Sequence, residues 1–575
     1  MSTSDLGCAK GIPQSSKTSL AQAKAFSWRW LAASLCCGCL LALLGDRYRW
    51  SKLLSRSHER PLQRLLCNHP FPIPTELSVA DPSVLAVLER QLQGRASDER
   101  IDSLSVAIVT SSGSLFEWNH GVVKANETSP GQQGKTDRNT IYRLISLSKL
   151  ITTVQTWILS DRGLLSWTDE VSKYIHELDN DDNRPMTIQE VASHLAGIPS
   201  NMPPGPMPGW PYSLEGAGEP PDNGLPFPTR ESLLQAINSH SLTVPPGSYP
   251  VYSNTGFSIL GMVNVAADGG SENHDALVQR DIFGPLGMSS SGYHISQLGK
   301  SKVAIPSNAP HEADWDFLDA MNPSGGCFST LADLIKLMQG LLSQDPNHRL
   351  LSGHSMRSWM RPLYPWYDDV TEQGILWEIR KYRNTWGQTQ RLYEKYGQSE
   401  GYHTALSINP SLNYGVIVLS TGSYFDTLNL TMEVIQTVQP SFDLFVQATM
   451  RHLYEGRWLS TDPDGKGSEI VLSIAGGSMW AEKVVLNGSD ILRLVQRKNK
   501  TERVPVWSTG RPEEFRFAFG LPSENDQSGH GCLLYSFGMD IGYAKGAPIN
   551  QMTFSGDDAD RTLFVPSVGD KLRRA

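Results

Sequence analysis

The chain has 575 residues, a net charge of −9 and 39% hydrophobic content, enough for one large domain plus a smaller one. Its acidic balance, with no sustained basic patch, argues against a nucleic-acid partner. Its 15 Trp, 18 Tyr, 50 Gly and 36 Pro suit a loop-rich globular protein with aromatic-lined pockets, and argue against disorder.

Residues 1–26 form a polar tail carrying Lys10, Lys17 and Lys24. Trp30 to Leu44 is then an almost unbroken apolar run. It is short for a spanning helix, which needs ~20 residues, but flanking Trp28 and Arg29 can extend it by sitting at the interface. A secretory signal competes over 28–46. The run ends in Leu41-Ala-Leu-Leu-Gly45 without a small-x-small cleavage site and turns basic at Arg47 and Arg49, which favours an uncleaved single-pass anchor over secretion after cleavage. Both flanks are basic, so orientation is ambiguous; a lumenal or extracellular folded part is the expectation. Of seven cysteines, Cys8, Cys36, Cys37 and Cys39 lie in or before this run, where membrane packing competes with palmitoylation. The one C-x-x-C spacing, Cys36 to Cys39, lies inside the apolar run and does not suggest zinc, and Cys67, Cys327 and Cys532 leave room for one bridge. Four Asn-x-Ser/Thr sequons, at Asn126, Asn429, Asn487 and Asn499, are about what chance gives and support a glycosylated, lumenal protein only weakly.

The main domain is expected over 60–440. After a Pro-rich entry, Cys67 to Pro74, an amphipathic helix is predicted around Ser83–Gln93, followed by a strand pair, Leu104–Thr110 and Ser114–Trp118. Tyr142 to Gly163 reads as one helix, with Leu147, Leu150, Ile151, Val154, Trp157 and Ile158 on a buried stripe. Thr187–Gly197 reads as a second helix. Residues 200–229 form a Pro/Gly-rich loop of a length usual for lids and binding surfaces, a plain surface excursion being the alternative. Residues 231–340 read as largely helical. Strands are predicted at Ile375–Ile379, Ala405–Ile408 and Tyr414–Leu419, before a helix over Thr431–Tyr454. Strands at both ends with helices between imply an α+β fold, an antiparallel sheet of N- and C-terminal pieces packed on a helical middle. From 455 to 575 short β-like runs (Ile470–Ile474, Ile491–Val495, Phe515–Phe519, Met552–Phe554) imply a small all-β domain.

Three segments carry chemistry. Ser146 and Lys149 stand three apart, on one face of the predicted helix and within mutual reach. This is the only Ser-x-x-Lys in the chain, and a lysine in a dry site can take the proton that a serine must lose to become a nucleophile. Tyr252 and Asn254 flank a serine on a turn entering a helix; a phenol can carry a proton and an amide can hold both a lysine and a substrate carbonyl. The competing structural roles are a packed aromatic and an N-cap, and a second Tyr-x-Asn at Tyr382-Arg-Asn384 shows how common the tripeptide is. In Glu394-Lys395-Tyr396-Gly397-Gln398, between two predicted strands, Lys395 brings positive charge and Gly397 permits close approach to a substrate. A different enzyme class is visible in Gly397-Gln-Ser399-Glu-Gly401, which matches the α/β-hydrolase elbow with His403, His452 or His530 as partners. That elbow needs a helix after the turn, and Tyr402–Ile408 looks like a strand.

Ser146-Leu-Ser-Lys149, Tyr252-Ser-Asn254 and Lys395-Tyr396-Gly397, in this order over about 85–435, resemble the three motifs of the serine β-lactamase, penicillin-binding-protein and class C esterase superfamily, particularly its fungal β-lactamase-like members. Connecting phrases are similar too: Asp161 to Asp169, Thr187 to Gly197, Pro285 to Met288 and Gly325 to Asp333. The resemblance implies a β-lactamase/transpeptidase-like fold, with Ser146 as the acyl-forming nucleophile and Lys149 and Tyr252 sharing the base and acid roles. It places Asn254, Lys395, Gly397 and Gln398 around the substrate, with the backbone N–H groups of Ser146 and Gln398 as oxyanion hole. It implies a small-molecule ester, lactone or amide as substrate, and neither metal nor cofactor. Tyr396 stands where the family has a small Thr or Ser whose hydroxyl helps bind a β-lactam carboxylate, which argues against lactam hydrolysis. Two other functions fit the same residues: an acyltransferase sharing the acyl-enzyme, and a catalytically retired, membrane-tethered binding protein. Oligomeric state is not legible.

Overall fold

Ile101–Thr110 (β1) is buried along almost its whole length, because it has a strand on either side and a core on each face of its sheet. In the computed structural model, which describes residues 71–575 apart from 75, 179–184, 296–299, 462–466, 497–502, 520–535, 537 and 558–559, it pairs antiparallel with Gly113–Gly121 (β2). The same sheet takes in Tyr364–Pro365, Thr371–Gln373, Glu378–Arg383 (β3), Thr389–Gln398 (β4), Tyr402–Asn409 (β5) and Tyr414–Gly422 (β6). Its order is β2-β1-β6-β5-β4-β3 followed by the two short strands, so chain-distant N- and C-terminal pieces meet at the β1–β6 pair as expected.

Alternation along β1 sends Ala107 and Val109 into a core shared with the helical middle, and Leu104, Val106 and Ile108 into a second core. The second core is covered by two helices, Ser83–Arg95 and Thr427–Tyr454. In the latter, Leu430, Val434, Val438, Phe442, Val446 and Met450 recur at four-residue steps to form one buried stripe. That core continues into the C-terminal region, where strands 456–460, 469–475, 478–486, 504–508, 514–517, 551–555, 562–565 and 570–574 form an antiparallel sheet. Strand 469–475 pairs with both 456–460 and 478–486, closing the sheet into a barrel without open edges.

Several elements depart from the sequence expectation. Tyr142–Gly163 is not one helix: Ile141–Arg143 is a strand paired with Phe328–Thr330, and the helix (α1) runs Ser148–Asp161, ending with Gly163 at φ 73°. The predicted strand Ile491–Val495 is a short helix, Ile491–Gln496. The strand predicted from Ile375 begins only at Glu378, because the preceding Leu376 turns to φ 68°. The helix predicted over Thr187–Gly197 is five residues, Ile188–Ala192, opened by a Thr187–Glu190 capping box; His194 at φ 63° prevents its continuation. Residues 200–229 are irregular throughout and expose Trp210 and Tyr212. Cys327 is buried and free, so no bridge uses it. The tail at 1–26, the anchor assigned to 28–46, Cys67, Cys532 and Asn499 lie outside the described residues; no helix among the described residues is long and apolar enough to cross a membrane.

Candidate active site

The strand Ile141–Arg143 delivers the chain to the centre of the helical layer, where Leu144 N–H donates to the Cys327 carbonyl (2.8 Å). Ile145 then turns to φ 49°, a left-handed conformation costly for a β-branched residue, of the kind that concentrates at functional sites. Ser146 follows on a 3₁₀ turn, and α1 begins two residues later, so Lys149 lies in its first turn with its side chain directed back at Ser146. The strained residue before the serine is what the uniform helical pattern could not reveal.

Ser253 caps the helix Asn254–Asp268 (α2), its Oγ accepting from Gly256 N–H (2.8 Å). Asn254 is therefore not the cap, and its side chain is available to the site. Gly261 on α2 lets the chain at 322–326 pack against it, for a Cβ there would lie 2.1 Å from Pro323. This contact brings the Ser324 carbonyl beside α1.

The three segments converge on one hydroxyl. Lys149 Nζ lies 2.9 Å from Ser146 Oγ, 2.6 Å from Asn254 Oδ1 and 2.8 Å from the Ser324 carbonyl. Tyr252 O–H donates to Ser146 Oγ at 2.7 Å. Asn254 Nδ2 donates to Asn201 Oδ1 (2.9 Å), so its own oxygen faces the lysine. Lys395 Nζ stands 5.0 Å from the Tyr252 ring centroid and Lys149 Nζ 5.1 Å. Lys395 is itself bound to Glu378 Oε1 at 2.7 Å. His194 packs its ring on Tyr252 (centroids 4.6 Å) while its Nδ1 accepts from Ser253 N–H (3.1 Å).

Burial sets the electrostatics. Lys149 is wholly buried, and desolvation, aided by the Lys395 charge, holds its pKa well below the ordinary lysine value against the pull of Glu219 and Glu378. Desolvation raises Tyr252, which outweighs the lowering by Lys395 and keeps the phenol protonated. Burial works against the Lys395 ammonium, but the Glu378 carboxylate outweighs it, so Lys395 stays charged. The site thus holds one amine poised to be neutral beside one held as a cation.

Gly397 lies on β4 directly under the serine turn: a Cβ there would sit 2.1 Å from the Leu144 carbonyl and 2.8 Å from Ser146 N. Pairing with β3 ends at Glu394, so Lys395–Gln398 pair only with β5 and run on as an edge beside Ser146. Gln398, exposed at the end of β4, follows that contact. Sequence reasoning missed Asn201, Ser324, Glu378 and His194; His194 lies in a family-like phrase and Asn201 in the loop read as a lid or binding surface, whereas nothing local marked Ser324 or Glu378.

The α/β-hydrolase elbow is overturned. Gly397 to Gly401 joins two antiparallel strands, with no helix after the turn. Ser399 Oγ donates to Glu312 Oε2 (2.6 Å), and Glu312 also accepts from the N–H groups of Glu400 and Gly401 (2.9 Å each), so this serine pins a hairpin. Tyr382 and Asn384 are structural as well, bonded to Gln390 and Gln388.

The beta-lactamase family profile matches residues 88–438. The chain belongs to that family. It is 35% identical over 307 residues to a beta-lactamase-like protein of Strobilurus tenacellus, covering 52% of this chain and 97% of the relative. A probable hydrolase of Phoma sp. is 22% identical over 551 residues, 87% of this beta-lactamase-family chain and 89% of its own. Among solved structures, an octameric penicillin-binding protein homologue from Pyrococcus abyssi superposes with a TM-score of 0.50 at 17% identity, over 85% of this chain and 100% of that one. At that identity the likeness shows the fold alone.

Proposed function

We propose that this beta-lactamase-family chain is a serine acyl hydrolase acting on a small-molecule ester, lactone or amide through an acyl-Ser146 intermediate. The observation that carries the reading is the pair of contacts on Ser146 Oγ, from Lys149 Nζ at 2.9 Å and Tyr252 O–H at 2.7 Å. A neutral lysine has two N–H bonds, and two fixed acceptors, Asn254 Oδ1 and the Ser324 carbonyl, take them. Its lone pair then faces Ser146 O–H, the arrangement a general base requires. Ser146 Oγ attacks the substrate carbonyl as its proton passes to Lys149. The carbonyl oxygen gathers charge toward the Ser146 and Gln398 N–H groups, a contribution of ~10²–10³ in rate. When the C–O bond breaks, Tyr252 gives its proton to the departing alkoxide, and the Lys149 ammonium restores it. Water repeats the sequence in reverse to release the acid.

The cavity of about 420 Å³ beside Tyr252 has room for an alcohol as well as for water, which keeps acyl transfer as the second reading. Tyr252→Phe tests the proton path: kcat for a chromogenic ester falls ~10²-fold or more with KM little changed, and unchanged kinetics remove the phenol from the mechanism.

A further inference from the structure

We infer that the cavity beside Tyr252 is a subsite for an uncharged, hydroxylated leaving alcohol, and that it rejects a carboxylate. The inference rests on the acyl-serine reading above. The cavity is bordered by His194, Tyr252, Trp366, Glu378, Glu394 and Tyr396. Glu378 and Glu394 are direct cross-strand partners on β3 and β4, so their side chains rise together from one face of the sheet.

Each of these groups is half-used. Glu378 binds Lys395 through Oε1, and its buried Oε2 has no partner in the protein. Glu394, 3% exposed, meets Arg380 Nε through Oε2 at 3.1 Å, and its Oε1 has none. His194, also 3% exposed, accepts on Nδ1; its proton is therefore on Nε2, which is unpartnered as well. Three atoms without mates in the protein thus lie in the wall: Glu378 Oε2 as an acceptor, His194 Nε2 as a donor, and Glu394 Oε1, whose carboxyl pKa is pushed by burial up to about 7, as either. A hydroxyl, donor and acceptor at once, answers both kinds, and the aromatic faces of Tyr252, Trp366 and Tyr396 suit the carbon skeleton that carries it.

The cations beside this wall are already committed. Lys395 pairs with Glu378 and Arg380 with Glu394, while Arg391 (2.6 Å) and Lys381 (3.6 Å) share Glu372. A substrate carboxylate finds no unpaired counter-charge among these residues and meets the Glu378 and Glu394 carboxyls instead. The cavity adjoins the phenol assigned to the leaving group, which places the hydroxylated portion on the alcohol side of the ester.

Three butyrate esters with one acyl group test this: glyceryl, n-propyl and carboxymethyl. Wild type prefers the glyceryl over the propyl ester in kcat/KM by ~10-fold or more, as a site built to bond a hydroxyl does, and takes the carboxymethyl ester least. Glu394→Leu brings the glyceryl-to-propyl ratio toward one and, by freeing Arg380, raises the carboxymethyl ester relative to propyl. Glu394→Gln, which keeps an acceptor oxygen, restores part of the glyceryl preference. Should the leucine variant fail to fold, the wild-type ranking and the glutamine variant decide. Equal wild-type rates on glyceryl and propyl esters, or a carboxymethyl ester taken as well as propyl, with turnover still dependent on Ser146, overturn the subsite and leave the acyl-serine reading standing. Absence of Ser146-dependent turnover of all three overturns both.

Discussion

Lys149→Met lowers kcat by at least ~10³-fold, the upper part of the range for loss of a positioned general base. Methionine fills the same buried volume but cannot accept the Ser146 proton. Lys149→Arg does not rescue, because a guanidinium stays protonated at any working pH. The same lysine dictates the acid limb of the pH profile. Its pKa is held below the ordinary value by burial and by the Lys395 charge, so the neutral, competent form extends to lower pH than in a free lysine and is lost on acidification. The other charges acting on it, Glu219 and Glu378, pull the other way. Lys395→Met therefore removes a lowering influence and leaves Glu378 unopposed, and both changes raise the Lys149 pKa. The acid limb of kcat/KM moves to higher pH in that variant. A limb that stays in place or moves down assigns the titration to another group, and full activity in Lys149→Met removes the lysine from the chemistry.

Gly397→Val is expected to cost ~10²-fold or more in kcat/KM, the loss that accompanies an ångström-scale displacement of reacting groups. The new Cβ would meet the Leu144 carbonyl at 2.1 Å, Ser146 N at 2.8 Å and Thr404 Oγ1 at 2.8 Å. Two of these are backbone atoms, and Thr404 Oγ1 already donates to the Leu144 carbonyl at 2.8 Å. The contact is relieved only by moving β4 away from the serine turn, which opens the space between Ser146 N and the β4 edge. Overpacking of this kind also lowers stability by ~1–3 kcal/mol, so thermal melts accompany the kinetics. Wild-type kcat/KM in a folded Gly397→Val protein contradicts the close approach.

The sheet was legible because β1 and β6 carry dense apolar residues between turns and β5 alternates apolar with polar ones, and the helix Thr427–Tyr454 because its buried stripe repeats every four residues. The Tyr142–Gly163 segment misled because Tyr142, Leu144 and Ile145 satisfy helical spacing equally well; their strand pairing is imposed by Phe328–Thr330, far away in the chain. Ile491–Val495 failed the other way, since an apolar run of five residues fits a buried strand and a short helix alike. At the site, Ser146, Lys149, Tyr252, Asn254 and Lys395 were visible as spaced motifs. Glu378 was not, because its role arises from its reach to Lys395 across neighbouring strands, and Ser324 contributes only a carbonyl, which no side-chain pattern signals. Tyr396 drew notice as a bulky replacement; the structure adds that Lys395 beside it is paired with Glu378, which leaves less free positive charge for a carboxylate.

The most direct test is covalent. A fluorophosphonate probe, followed by peptide mass spectrometry of the full chain, should place its adduct on Ser146, with labelling lost in Lys149→Met. An adduct on Ser399, or none anywhere in protein that turns over an ester, contradicts the account.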